Sequence, residues 1–188
     1  MIIAAVETAR VVARMLEPRG RVIGLTKGQF SMLDLITAVL DEVGEADVVV
    51  STWTIARSDS DRVGVFLRDG RIRTFSLIID RSFPRQYPEY CASVVEALGG
   101  AAHIHVMKTH AKFALIRAGE WRIVIRSSMN LNPNPRCEQF DVDDSPAIYD
   151  FFAAAVADME AIVPAGFDVD GGVMFRRFQR LWSGRGPR

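Results

Sequence analysis

Cysteine is scarce in this chain: Cys91 and Cys137 are the only two in 188 residues. Two are too few for a disulfide framework, and they fit a reducing compartment. Net charge is also missing. Lys and Arg number 23 and Asp and Glu number 23, for a formal charge of +0, so no global field points at a polyanion. No apolar run is long enough to span a bilayer. The N-terminus has no basic segment ahead of its apolar residues, and Glu7, Arg10 and Arg14 interrupt them, which argues against a signal peptide. Lys27-Gly28 lacks the glycine spacing of a phosphate-binding loop. Repeats and low-complexity segments are absent. What remains is a soluble, cytoplasmic protein of ordinary globular composition, 49% hydrophobic and 24% charged, with residues 1–188 as a single domain.

Charge is spread unevenly. Residues 138–170 are acidic, from Glu138 through Asp141, Asp143, Asp144, Asp150 and Asp158 to Asp170. Residues 171–188 read as a basic C-terminal extension holding Arg176, Arg177, Arg180, Arg185 and Arg188. Periodicity predicts a helix over 2–16, ended by Pro18 and Gly20. A short strand follows over Arg21 to Leu25, then a helix capped by Ser31 with Asp34 and stopped by Gly44. The β-branched run 47–53 predicts a buried strand, as in a parallel or mixed sheet. Ser58 or Asp59 would cap the next helix, and Ile72 to Ile79 is a second central strand. Asp80 to Pro84 reads as a loop at its carboxyl end, where α/β sheets carry function. A helix from Pro88, a strand over Ala102 to Met107, a short strand over Phe140 to Val142 and a helix from Pro146 complete the alternation. A short amphipathic helix is expected over Met174 to Trp182. The pattern predicts an α/β fold, a mixed central sheet flanked by helices.

The stretch from Thr109 to Glu138 carries the chemistry. It reads as a hairpin turning at Ala118-Gly119-Glu120. Strand side chains alternate with a period of two. The odd positions Phe113, Leu115, Trp121, Ile123, Ile125 and Met129 are large and apolar, and are expected to face the core. The even positions His110, Lys112, Arg126, Ser128 and Asn130 would share the other face. Pairing Arg117 with Trp121 sets His110 opposite Ser128 and Lys112 opposite Arg126. Core burial on one face would forbid a one-residue slip.

An imidazole can attack phosphorus near neutral pH. A lysine ammonium is a point charge for a phosphate oxygen, and Ser128 and Asn130 offer neutral donors to the same oxyanion. His-x-Lys alone is more often a solvated strand face; the Ser-x-Asn pair on the facing strand is what raises it. Arg126 and Arg136 are candidate phosphate contacts, although exposed arginines more often meet water. His103 and His105 alternate on a strand, but no acidic residue or cysteine joins them at ligand spacing, so no metal and no cofactor is expected. Trp53 reads as core or rim, and Cys91 and Cys137 as structural.

His110-Ala111-Lys112 with Ser127-Ser128-Met129-Asn130 resembles the signature of the phospholipase D superfamily, which is His-x-Lys, a following Asp, then Gly-Ser-x-Asn. Ser127 stands in the glycine place and Arg117 in the acidic one. One such motif is present, which resembles the short members that pair two chains to build one site. The longer run from Asp80 to Arg136 is similar to phospholipase D-like proteins of phages and prophages. The resemblance implies His110, Lys112, Ser128 and Asn130 as the catalytic set. It also implies Glu138 as a carboxylate holding the histidine's second ring nitrogen; an exposed glutamate after a proline-rich loop is the plain alternative.

Three functions follow as expectations. The first is a metal-independent phosphodiesterase, a nuclease working as a homodimer through a phosphohistidine, with the terminal arginines meeting a nucleic-acid backbone. The second is a non-catalytic module of the same fold that binds nucleic acid or a phage component. The third is a phospholipid phosphodiesterase, disfavoured because no membrane-seeking helix is visible.

Overall fold

The computed structural model describes residues 2–3, 9–98, 101–132 and 135–162. Its elements in chain order are β1 (Ile2–Ile3), α1 (Ala9–Arg14), β2 (Arg21–Thr26), α2 (Met32–Val43), β3 (Ala46–Thr52), α3 (Arg57–Arg68) and β4 (Ile72–Asp80). They continue with α4 (Ser82–Gln86), α5 (Pro88–Leu98), β5 (Ala102–Met107), β6 (Phe113–Ala118), β7 (Trp121–Ser127), β8 (Glu138–Asp144) and α6 (Pro146–Ile162). The strands form one eight-stranded mixed sheet in the order β1-β2-β8-β7-β6-β3-β4-β5.

Local chemistry accounts for several element ends. The Ser31 hydroxyl accepts the Asp34 N–H at 3.1 Å while the Asp34 carboxylate accepts the Ser31 N–H at 2.9 Å. This reciprocal cap starts α2 and contributes about 1 kcal/mol. Gly44 ends that helix at φ 81, a left-handed conformation that a side chain would strain. The helix expected from a cap at Ser58 or Asp59 starts earlier, at Arg57, because the Asp59 carboxylate reaches back to the Ala56 N–H at 3.0 Å. The helix expected over 2–16 is corrected: Ile2–Ile3 pair as a strand beside Ile23 and Gly24, and among the described residues of that stretch Ala9–Arg14 are helical. Of the loop expected at Asp80 to Pro84, Asp80 ends β4, Arg81 is a turn and Ser82 to Pro84 fall in the short helix α4. The expected helix over Met174 to Trp182 and the basic extension lie outside the described residues.

Both faces of the sheet are covered over its centre. Helices α1, α2, α3 and α5 bury one face against Val48, Val50, Phe75, Leu77, Ile116, Ile123 and Ile125. Helix α6 covers part of the other, where Ile78, Phe113, Leu115 and Val124 pack on Val156 and Phe152. This two-sided burial corrects the hairpin register. Ala118 pairs with Trp121, Arg117 with Arg122 and Phe113 with Arg126, one residue away from the expected pairing. The slip carries no penalty here, because Phe113 and Leu115 bury under α6 while Ile123 and Ile125 bury on the opposite side. The turn is shorter as a result, with Gly119 at φ 50 in its two-residue loop.

Candidate phosphoryl-transfer site

Strands β1 to β5 and β7 run one way, β6 and β8 the other. One end of the sheet therefore gathers the carboxyl ends of β3, β4, β5 and β7 with the amino ends of β6 and β8. In open α/β sheets this end carries the ligand crevice.

The segment bearing His110 crosses that end. Strand β5 is at the sheet edge and β6 lies beyond β4 and β3, so residues 108–112 must pass over the ends of both. The passage is pinned at each strand. The Arg81 N–H donates to the Met107 carbonyl at 2.8 Å. The Thr109 N–H donates to Asp80 Oδ2 at 3.0 Å, at the end of β4. The Ser51 hydroxyl donates to the Ala111 carbonyl at 2.9 Å, at the end of β3. The Ser127 N–H donates to the Lys112 carbonyl at 3.1 Å, at the end of β7. Asp80 is buried and holds Ser82 as well, through its N–H at 2.8 Å and its hydroxyl.

These anchors leave His110 exposed. Lys112 Nζ sits 3.5 Å from His110 Nε2 and donates to the His110 carbonyl at 3.1 Å. Burial pulls the Lys112 ammonium below its ordinary range, and the Glu138 charge acts against that pull. Across the hairpin, the Ser128 hydroxyl donates to Glu138 Oε2 in a short bond and accepts the Gln139 N–H at 3.0 Å. The structure thus gathers His110, Lys112, Glu138 and Ser128. Asn130 is at the same sheet end, between buried Met129 and Leu131, and the Leu131 N–H donates to Thr52 Oγ1 at 3.3 Å. Asn130 Oδ1 is buried with no hydrogen-bond partner among the described residues.

Other candidates are placed differently. Arg126 Nη2 lies 3.1 Å from Asp141 and 3.2 Å from Asp143, an internal ion-pair set across β7 and β8. Arg136 is exposed. His103 and His105 lie on β5, separated from the hairpin by β3 and β4; His105 Nε2 is 3.4 Å from Glu160 of α6. No group of three or more His, Cys, Asp or Glu side chains among the described residues is placed to hold a metal ion. Ser127, in the glycine place of the signature, donates to the Gln139 carbonyl at 2.7 Å and accepts the Met129 N–H at 2.9 Å, which bends the chain away from β7. Arg117 lies roughly 16 Å along β6 from Lys112 and pairs with Asp47 at 2.9 Å. Its departure from the signature leaves the residues around His110 untouched.

Ser51, Thr52, Asp80, Ser82 and Thr109 act as anchors that no sequence motif marks. The position of Asp80 and Ser82 at the end of a central strand was the available signal. Trp53 was read as core or rim and lies at the rim, 38% exposed. Its ring is 6.4 Å from the His110 ring, centroid to centroid, and its indole N–H donates to Ser82 Oγ at 2.9 Å.

No family model matches the chain, and no curated protein does. Solved structures do. A phospholipase D family member, Nuc from Salmonella typhimurium, superposes with a TM-score of 0.57 at 11% identity, over 78% of this chain and 97% of that one. NucT from Helicobacter pylori gives 0.53 at 14% identity, over 79% and 100%. Polyphosphate kinase from Porphyromonas gingivalis gives 0.53 at 14% identity, over 76% of this chain but 26% of that one. The mixed α/β architecture of this chain is thus similar in fold to that of Nuc, a phospholipase D family member.

Proposed function

We propose that this chain is a metal-independent phosphodiesterase that cleaves nucleic acid through a phosphohistidine, at a site shared by two copies. The observation that carries this is the exposed His110 ring with the Lys112 ammonium 3.5 Å from its Nε2, on a segment anchored to the ends of three strands. Lys112 holds a non-bridging phosphate oxygen, and Asn130 and Ser128 line the same sheet end. His110 attacks phosphorus; the P–N bond forms as the P–O bond to the leaving group breaks. The leaving oxygen takes a proton from the second chain's His110. That imidazole then accepts a proton from water, the water oxygen attacks phosphorus, and the P–N bond breaks. The chain carries one His-x-Lys, so a two-fold axis is the simplest source of the acid opposite the nucleophile.

The test is hydrolysis of bis-(p-nitrophenyl) phosphate with excess EDTA. Turnover is expected to persist and to fall roughly 10⁴-fold or more in His110→Ala. Mixed dimers of wild-type and His110→Ala chains should be inactive. Mixed dimers with half the wild-type rate would show that each chain works alone. A second reading is a binding module that keeps the fold, favoured by the Ser128 hydroxyl being engaged with Glu138. Nucleic-acid binding with no turnover would select it.

A further inference from the structure

A groove of about 310 Å³ opens beside His110, lined by Trp53, Thr54, Phe83, Gln86 and Tyr87. We propose that it is a stacking subsite for an unpaired nucleobase next to the phosphate held by His110 and Lys112. The proposal rests on the phosphodiesterase reading and names its substrate class as single-stranded nucleic acid.

Three observations carry it. The first is position: Trp53 is shared between the groove and the His110 ring, whose centroid is 6.4 Å away with the planes tilted by 51°. A group bound in the groove is therefore adjacent to any phosphate on Lys112. The second is the kind of surface. Tyr87 is 55% exposed and its ring packs on buried Phe83 at 6.1 Å. With Trp53 these rings line the groove, and Thr54 and Gln86 add polar groups. Flat rings suit any base, because every base has a π-face. The third is preorganisation. Trp53 cannot swing freely, since its N–H is tied to Ser82, whose hydroxyl is tied in turn to buried Asp80. An exposed indole held in this way loses little freedom on binding.

The groove's size selects among occupants. It is at the small end of ligand pockets, enough for one ring system and too short for paired acyl chains. A duplex keeps its bases stacked and paired and must flip one out at a cost, so a single strand places a base there most readily.

The test uses the full chain in a His110→Ala background, so that binding is read without turnover. The probes are a fluorescent ten-nucleotide thymidine strand and a strand of equal length with abasic sugars, followed by anisotropy. The base-bearing strand is expected to bind roughly tenfold tighter. Trp53→Ala and Tyr87→Ala should each bring the two affinities together, and Trp53→Phe should keep most of the difference. Equal affinity for the two strands before any groove substitution overturns the subsite, as does a Trp53→Ala loss that is the same for both. Failure to bind either strand overturns it too. Binding to phosphatidylglycerol vesicles that Trp53→Ala abolishes, with no base preference, would assign the groove to lipid instead. None of these outcomes depends on hydrolysis of bis-(p-nitrophenyl) phosphate, so the two readings fail separately.

Discussion

The two ends of the β6–β7 hairpin hold charged residues in opposite ways. At the closed end, Asp47 of β3 accepts Arg117 at 2.9 Å, Arg73 at 2.9 Å and the Thr74 hydroxyl at 2.9 Å. The Arg73 hydrogen bond leads in holding the Asp47 carboxyl down to about 2. Nearby, the Arg122 N–H donates to buried Asp144 at 2.8 Å. The charges of Asp47, Arg73, Arg117 and Asp144 are answered there by the fold itself. At the open end, Lys112 has burial working against its charge and Glu138 working for it, and the imidazole beside it faces out. Arginine–aspartate pairs thus brace the sheet at one end, while at the other burial offsets the counter-charge that Glu138 gives Lys112 and the imidazole stays exposed. The difference lies in whether the charges are used up in holding strands together.

The largest effect that would sharpen this contrast comes from Lys112→Met. It removes the open-end cation while leaving the strand intact, and kcat on a phosphodiester should fall about 10²- to 10³-fold with little change in thermal stability. A loss of stability without a loss of rate would put Lys112 in the bracing class. Next is Glu138→Gln. Glu138 raises the Lys112 ammonium against the lowering by burial, so its removal lets that group drop further. The alkaline limb of the rate profile should then move to lower pH; a move to higher pH would contradict the assignment. The smallest effect is expected from Asp47→Asn. A carboxyl held below its ordinary 3.8 contributes stability that is present above that value and lost as pH falls through about 2. Wild type should therefore shed this contribution between those pH values. The variant should be less stable at neutral pH by about 1 kcal/mol, keep its rate, and lack that acid-side loss in urea titrations.

The motif half of the site was legible because His110, Lys112, Ser128 and Glu138 flank one hairpin and are close in sequence. The rest was not. Ser51, Trp53 and Asp80 join the site only because β3 and β4 lie between β6 and β5, and strand order across a crossover leaves no mark on a local pattern. Elements with strong local chemistry read well, as Ser31 with Asp34 and the helix from Pro146 show. The hairpin register did not, since the argument from alternation needs one wet face, and Phe113, Leu115 and Val124 bury where a wet face was assumed. The N-terminal helix was overextended because Ile2 and Ile3 carry an apolar pair that suits a strand as well as a helix.

Strand order also has a consequence in time. During synthesis β3, β4 and β5 emerge together and can pair in parallel, yet the other edge of β3 belongs to β6, which follows β5 in the chain. Strand β2 waits longer still, because its antiparallel partner is β8. Until residues 113–144 leave the ribosome, two strand edges made for pairing stand open. Such edges are templates for other chains, and pairings this distant in sequence form slowly. The nascent protein is therefore most exposed to mispairing over the interval in which its site is not yet built, and the hairpin that completes the sheet also closes that interval.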